Sequence, residues 1–271
     1  MIVIRPTATR SFTDNLGEIW SSRELIFAFA KREIAVRYKQ AAIGIVWVAL
    51  QPLVTTGVFT FIFGHLAKIS TGDVPYPVFV LSGLLLWQYF NRVLTEGCGS
   101  LVANVGLITK VYFPRLIVPM IVTLVAAVDV AVITTALLVL MLINGMAIPP
   151  TIIFLPVFVM MAGLMGYAAA LWVAPLNAIY RDIGLALPLV MQVVMYLSPV
   201  IYPTSLVPGW MQWFYEINPV ATLLRGARWS LLGETPPSLT GLLVYGAVTL
   251  FLLAVGFRIF RATEGTLVDR I

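Results

Sequence analysis

Six apolar stretches succeed one another along the 271 residues: roughly Ala42 to Leu66, Tyr76 to Cys98, Leu116 to Ile143, Ile148 to Ala174, Ile183 to Tyr202 and Leu239 to Phe260. A bilayer crossing needs about 20 predominantly apolar residues, and each stretch is long enough. Hydrophobic residues make up 60% of the chain and charged residues only 11%, against roughly 45–50% and about 25% in a soluble domain. A soluble core of this length has no use for that excess. The pattern predicts an all-α polytopic membrane protein with six transmembrane helices.

Several function classes fall away at once. Cys98 is the only cysteine, so one chain builds neither a disulfide framework nor a cysteine zinc site. No Gly-x-x-x-x-Gly-Lys-Ser/Thr phosphate cradle is present, so the chain does not hold ATP in that way. The net charge of +5 comes without the modules nucleic-acid folds use, so no nucleic-acid partner is expected. No catalytic residue or metal site is expected: His65 is the sole histidine, placed at the end of the first stretch, where an interfacial role is the ordinary one. The first 40 residues are basic but lack an early apolar run, so no cleaved signal is expected there.

Topology accounts for the cations instead. With six crossings both termini lie on one side, and lysines and arginines flanking the spans select the cytoplasmic side. That side receives Arg5, Arg10, Arg23, Lys31, Arg32, Arg37 and Lys39, then Lys110 and Arg115, Arg181, and Arg258, Arg261 and Arg270; the outer side receives Lys68, Arg225 and Arg228. The organisation predicted is one domain over 1–271: a cytoplasmic N-terminus with an interfacial helix over 1–40, a six-span bundle over 41–260 and a cytoplasmic tail over 261–271.

Ser21 and Glu24 have capping-box spacing, which predicts a helix start. Beyond it Ile26, Phe27, Ala30 and Ile34 take one face while Lys31, Arg32, Glu33 and Arg37 take the other. That is an amphipathic helix, lying in the membrane interface or packed on a partner. Pro203 to Ser238, too long for a turn and rich in aromatics such as Trp210, Trp213 and Trp229, reads as a re-entrant or interfacial hairpin on the outer face between spans five and six. Its prolines break it into short helices. Pro52 in the first stretch and Pro188 and Pro199 in the fifth invite kinks.

Arg92 and Asp129 are the ionisable residues deepest in the spans. Charge there is costly enough to suggest function, either as an ion pair within the bundle or as part of a translocation path. Arg92 is expected in the inner third and Asp129 near the midplane. Trp47, Gln51, Phe59, Phe63, Trp87, Tyr89, Gln192 and Tyr196, together with Gln88 and Asn91, are polar or aromatic at membrane depth. Most such residues pack, but aromatic faces suit sugar rings and amides suit hydroxyls, so these are the candidate channel lining.

Four motifs carry a family resemblance. They are Arg32-Glu33-Ile34-Ala35-Val36-Arg37-Tyr38-Lys39-Gln40 followed by Gly44, Trp47, Gln51 and Pro52; Asn104-Val105-Gly106-Leu107-Ile108-Thr109-Lys110-Val111-Tyr112-Phe113-Pro114-Arg115; Tyr180-Arg181-Asp182-Ile183 with Pro188 and then Ser198-Pro199-Val200-Ile201-Tyr202-Pro203; and Asn218-Pro219-Val220 with Arg225, Arg228-Trp229 and Leu232-Gly233. Together, across nearly the whole chain, they resemble the permease subunits of type-2 ABC exporters, above all those exporting O-antigen polysaccharide.

That resemblance implies a permease rather than an enzyme, with ATP hydrolysis on a separate ATPase subunit that carries ATP and Mg. It implies two permease copies with two ATPase subunits, a channel formed mainly by first and fifth spans of the homodimer, and residence in the bacterial inner membrane. ATPase coupling would fall to Asn104, Gly106, Leu107, Ile108, Lys110, Phe113 and Arg115 and to Tyr180, Arg181 and Asp182, though Lys110 and Arg115 also serve as topology anchors. The implied cargo is a polyprenyl-pyrophosphate-linked glycan for lipopolysaccharide assembly. Arg32, Arg37 and Lys39 are candidates to recruit its pyrophosphate, since phosphate favours Arg and Lys, or simply to set topology. Teichoic-acid or capsular-polysaccharide export is the near alternative; a stand-alone channel, a secondary transporter or an enzyme of glycan assembly are the competitors from other classes.

Overall fold

The computed structural model describes residues 17, 19–39, 44–108 and 113–270, with backbone alone at Lys39, Leu107 and 264–270. The described residues contain helices and no strands. In chain order they form α1 (Arg23–Lys39), α2 (Val46–Phe59) running into a π-helical segment (Thr60–Leu66), α3 (Tyr76–Ala103), the single turn α4 (Val105–Ile108) and α5 (Ile117–Ile143). A 3₁₀ turn (Pro150–Phe154) leads into α6 (Leu155–Ile179), followed by α7 (Asp182–Leu197), two further 3₁₀ turns, α8 (Gln212–Ile217), α9 (Pro219–Leu232) and α10 (Leu239–Arg270).

Among the described residues, five helical segments are long and apolar enough to cross a membrane: Val46–Leu66, Tyr76–Ala103, Ile117–Ile143, Pro150–Ile179 and Leu239–Thr263. The fifth predicted stretch is shorter than its hydropathy suggests, because α7 stops at Leu197 after 16 residues. Pro199 is the cause: a residue before proline is driven out of the helical region, and Ser198 is extended at φ −111, ψ 148. Pro199 therefore ends the helix instead of kinking it. The predicted tail at 261–271 is helical through Arg270 as a continuation of α10. The turn to a π-helix at Thr60 was not anticipated.

α3 is the centre of the bundle, with 19 of its 28 residues buried. It packs most heavily on α6 and α5. Small residues allow the α3–α6 approach, since a Cβ on Gly97 would stand 2.7 Å from the Ala170 Cβ and one on Gly166 would stand 2.8 Å from Val93. Small residues at such contacts let helix backbones come close in a membrane. By contrast α2 buries only Pro52 and Thr56, and α7 only Met191. Both stand at the periphery with apolar side chains outward, among them Leu50, Val54, Leu185 and Leu189.

α1 begins at Arg23, two residues from the predicted capping Ser21. Ile26 and Ala30 are buried where α1 crosses α5, whereas Phe27, predicted on the same face, is 65% exposed. The helix thus packs on its own bundle. The Pro203–Ser238 segment is broken into short pieces as expected, except for the 14 residues of α9. Asn218 caps α9 by accepting from Val220 N at 2.9 Å and Ala221 N at 3.3 Å, Pro219 fills the first turn, and Gly233 ends it in the left-handed region at φ +71. These are the residue types that start and stop helices, so the Asn218-Pro219-Val220 and Leu232-Gly233 motifs have a local structural role.

Candidate functional site

α3 and α5 run antiparallel, with residues 104–116 between them in the chain. Arg92 lies eleven residues before the end of α3 at Ala103, and Asp129 twelve after the start of α5 at Ile117. At about 1.5 Å per residue both therefore sit at one level, roughly 17 Å from that end. Their side chains form an ion pair, and both are shielded, at 14% and 15% exposure. The separation of depths expected from sequence does not exist.

The pair belongs to a larger network. Tyr38, at the end of α1, donates its hydroxyl to Asp129. Burial pushes the Tyr38 hydroxyl above its ordinary pKa of 10.0, with Arg37 opposing and Glu96 adding, so it stays protonated as a donor. Arg92 Nε donates to Glu96 Oε1 at 2.9 Å one turn along α3, and Arg37 grips the same carboxylate with Nη2 on Oε1 at 3.1 Å and Nη1 on Oε2 at 3.2 Å. Three helices are thus joined through five side chains. Two bear positive charge and two negative, so the cluster is neutral, and within it Arg92 and Asp129, the shielded pair, are the charges whose burial calls for a partner.

The network forms one wall of a cavity of about 1080 Å³. Of the predicted channel residues, Trp47, Gln51, Phe59, Trp87 and Tyr89 line it, with Gln88 and Asn91. Phe63, Gln192 and Tyr196 do not. Phe63 packs against Phe59 with ring centroids 6.0 Å apart, Gln192 is exposed on α7, and Tyr196 is exposed with its carbonyl accepting from Tyr202 at 2.9 Å. A second cavity, of about 90 Å³, lies beside α1 and is lined by Phe29, Arg32, Glu33, Asn104 and Phe113 among others. Arg37 and Glu96 line both cavities. Tyr38 and Glu96 were not singled out in the sequence; Arg92 and Glu96 are spaced i, i+4, the spacing of neighbours on a helix face.

The two predicted coupling segments lie at one end of the bundle. Asn177 Nδ2 donates to Cys98 O at 3.1 Å and its Oδ1 accepts from Gly184 N at 2.9 Å, so the 180–182 turn sits beside the end of α3. In the 104–116 turn Asn104 Nδ2 donates to Ser100 O at 2.9 Å, and Gly106 is exposed. Ile108 and Phe113 are buried in one apolar cluster with Ile26, Leu116, Ala178 and Phe260, and Phe113 meets Phe29 edge-on at 6.0 Å. Lys110 and the side chain of Leu107 lie outside the described residues. Tyr180, Arg181 and Asp182 are exposed. Arg115 sits partly buried at the foot of α5. Arg32 is exposed on α1 close to Arg37; the side chain of Lys39 lies outside the described residues.

At the opposite end the Ser198–Ile201 turn leaves carbonyls without helical partners. Arg228 Nη2 donates to Val200 O at 2.9 Å and Tyr76 to Ile201 O at 2.7 Å, while the Arg228 guanidinium lies 3.7 Å from the Phe79 ring centroid. Buried backbone polar groups need such partners. Glu216 accepts from Ser238 at 2.6 Å and pairs with Arg225, which ties the start of α10 to α8 and α9. Sequence reading did not connect these residues.

A profile of the ABC-2 type transporter family matches residues 24–232. The O-antigen export system permease protein RfbA of Myxococcus xanthus is 25% identical over 260 residues, covering 94% of this chain and 98% of that protein. The protein of the same name from Klebsiella pneumoniae is 24% identical over 215 residues, 79% of this chain and 81% of that one. The polysialic acid transport protein KpsM of Escherichia coli is 32% identical over 76 residues, 28% of this chain and 30% of that protein.

Proposed function

The chain belongs to the ABC-2 type transporter family, and on that premise we propose that it is the permease of an ATP-driven exporter moving polyprenyl-pyrophosphate-linked O-antigen-type polysaccharide across the bacterial inner membrane. The observation that carries the cargo assignment is the near end-to-end match to proteins named O-antigen export permeases. The shorter KpsM match supports capsular-polysaccharide export as the second reading.

The fold supports the transport architecture. α7 serves as a sixth span: its 16 residues cover about 24 Å at 1.5 Å per residue, short of the roughly 30 Å hydrocarbon core, and the apolar Pro199–Tyr202 segment continues it. α8 and α9 form the outer re-entrant hairpin. Arg23, Lys31, Arg32, Arg37, Arg115, Arg181, Arg258 and Arg261 belong to the end that carries the 104–116 and 180–182 turns, whereas Lys68, Arg225 and Arg228 belong to the other. By the positive-inside rule the first end, with both termini, is cytoplasmic. The scarcely buried α2 and α7 supply the face for a second copy, and the aromatic and amide groups around the large cavity suit a sugar chain.

Energy comes from two copies of a separate ATPase, which bring ATP and Mg. Asn104–Arg115 and Tyr180–Asp182 are the docking segments, with exposed Gly106, Tyr180, Arg181 and Asp182 as contact surface and buried Ile108 and Phe113 as their support. Arg32, Arg37 and Lys39 stand where a lipid-linked pyrophosphate meets the inner leaflet. The test is co-expression with a candidate ATPase subunit in a strain lacking its own O-antigen exporter. Restoration of surface O-antigen, lost when the ATPase is inactivated, is expected; export without any ATPase would replace this reading with that of a stand-alone transporter.

A further inference from the structure

Glu96 sits where an anionic ligand would. Its carboxylate is held between two guanidiniums from different helices, with Arg92 Nε at 2.9 Å and Arg37 Nη2 at 3.1 Å on one oxygen and Arg37 Nη1 at 3.2 Å on the other. Two converging guanidiniums, one of them bidentate, form the arrangement that takes phosphate as readily as carboxylate. Arg92 is fixed from behind by Asp129, which Tyr38 in turn holds. Arg92 is therefore preorganised, at 14% exposure, while the Arg37 and Glu96 side chains that meet over it are open to solvent, at 38% and 41%.

Position adds a second observation. Arg37 and Glu96 line both the large cavity and the small one beside α1, so their pair forms the partition between the two. An ion pair reached this freely by solvent contributes little to stability, so it parts at small cost. We propose that Arg37 and Arg92 form a phosphate-binding site at the inner mouth of the large cavity, and that Glu96 is its built-in plug. A diphosphate head replaces the Glu96 carboxylate, which swings toward solvent, and the partition opens. Only an anionic head group lifts the plug, so the site admits the lipid-linked substrate and excludes neutral lipids. The identity of that head group rests on the function proposed above; the two-arginine site does not.

The test titrates the full-length chain, in phosphatidylcholine nanodiscs, with farnesyl diphosphate and with farnesol, following the tryptophan fluorescence, to which cavity residues Trp47 and Trp87 contribute. Glu96→Gln removes the competing charge at constant size and is expected to tighten farnesyl diphosphate about tenfold; Arg37→Gln weakens it by about the same factor, also in the Glu96→Gln background. Farnesol gives no change. Equal affinities in all variants overturn the site, and if the unaltered chain still binds farnesyl diphosphate the proposed substrate class survives. If phosphatidylglycerol nanodiscs abolish the response with the same dependence on Glu96 and Arg37, the site stands and the polyprenyl-diphosphate assignment falls.

Discussion

Tyr38 and Asp129, 91 residues apart in the chain, are joined by a hydrogen bond from the Tyr38 hydroxyl. Asp129 is also the counter-ion of Arg92, so one carboxylate ties α1 to α3 and α5. Its two partners draw on it unequally. The arginine needs the charge, and the tyrosine only an acceptor.

Asp129→Asn leaves Arg92 without its shielded counter-charge, and removing one partner of a buried pair costs about 3–5 kcal/mol. Tyr38→Phe removes a single hydrogen bond, worth about 1 kcal/mol. Thermal unfolding in detergent should therefore rank Asp129→Asn well below Tyr38→Phe. Equal losses would mean that the ion pair contributes nothing beyond a hydrogen bond.

Residues of the two segments proposed to dock the ATPase separate by burial. Phe113→Ala empties a site in the apolar cluster shared with Ile26 and Phe260 and is expected to cost about 3–5 kcal/mol, as core Phe→Ala changes do. Tyr180→Ala and Arg181→Ala alter exposed side chains, so they should leave the unfolding temperature within about a degree or two, since surface changes fall within roughly 0.5 kcal/mol, while weakening capture of the ATPase in a pull-down. Undiminished ATPase capture by a Tyr180→Ala, Arg181→Ala double variant would remove the 180–182 turn from the docking surface.

Hydropathy made the long spans legible because each is a sum over some 20 residues, in which local exceptions average out. It failed at the end of α7, where one dipeptide, Ser198-Pro199, overrides a run of apolar neighbours. Arg92 and Asp129 each stood out by the cost of charge at depth, yet their contact depends on the register between antiparallel helices, which sequence spacing does not encode. Glu96 was within reach through its i, i+4 relation to Arg92; Tyr38 was not, because nothing local marks the end of α1 as folded against α5. Trp47 and Trp87 share a cavity while Tyr196 does not, and that follows from how α2 leans on α3, a tertiary fact.

The Glu216–Arg225 ion pair gives a pH dependence with a definite sign. Hydrogen bonds from Ser238 and Arg225 hold the Glu216 carboxyl below the ordinary value of 4.5. A group whose folded pKa is lowered contributes stability that is fully present above its unfolded pKa and is lost as pH falls through the folded one. Glu216→Gln should therefore lower the unfolding temperature at pH 7 and flatten its decline below about pH 4.5. A decline of unchanged steepness in the variant would assign the acid sensitivity to other carboxylates.

Asn218 performs two tasks at the start of α9, and they can be told apart. Its Oδ1 caps the Val220 and Ala221 amides while its Nδ2 donates to Ser198 Oγ at 3.2 Å, so it links α9 to the end of α7. Loss of an N-cap costs about 1 kcal/mol. Asn218→Asp keeps the cap and gives up the Nδ2 donor to Ser198, whereas Asn218→Ala loses both. Hydrogen exchange at Val220 and Ala221 should thus accelerate in Asn218→Ala and stay slow in Asn218→Asp, with the buried amides of α3 unaffected in either. Faster exchange in both variants to the same degree would locate the anchoring of α9 in the contact with Ser198 and not in the cap.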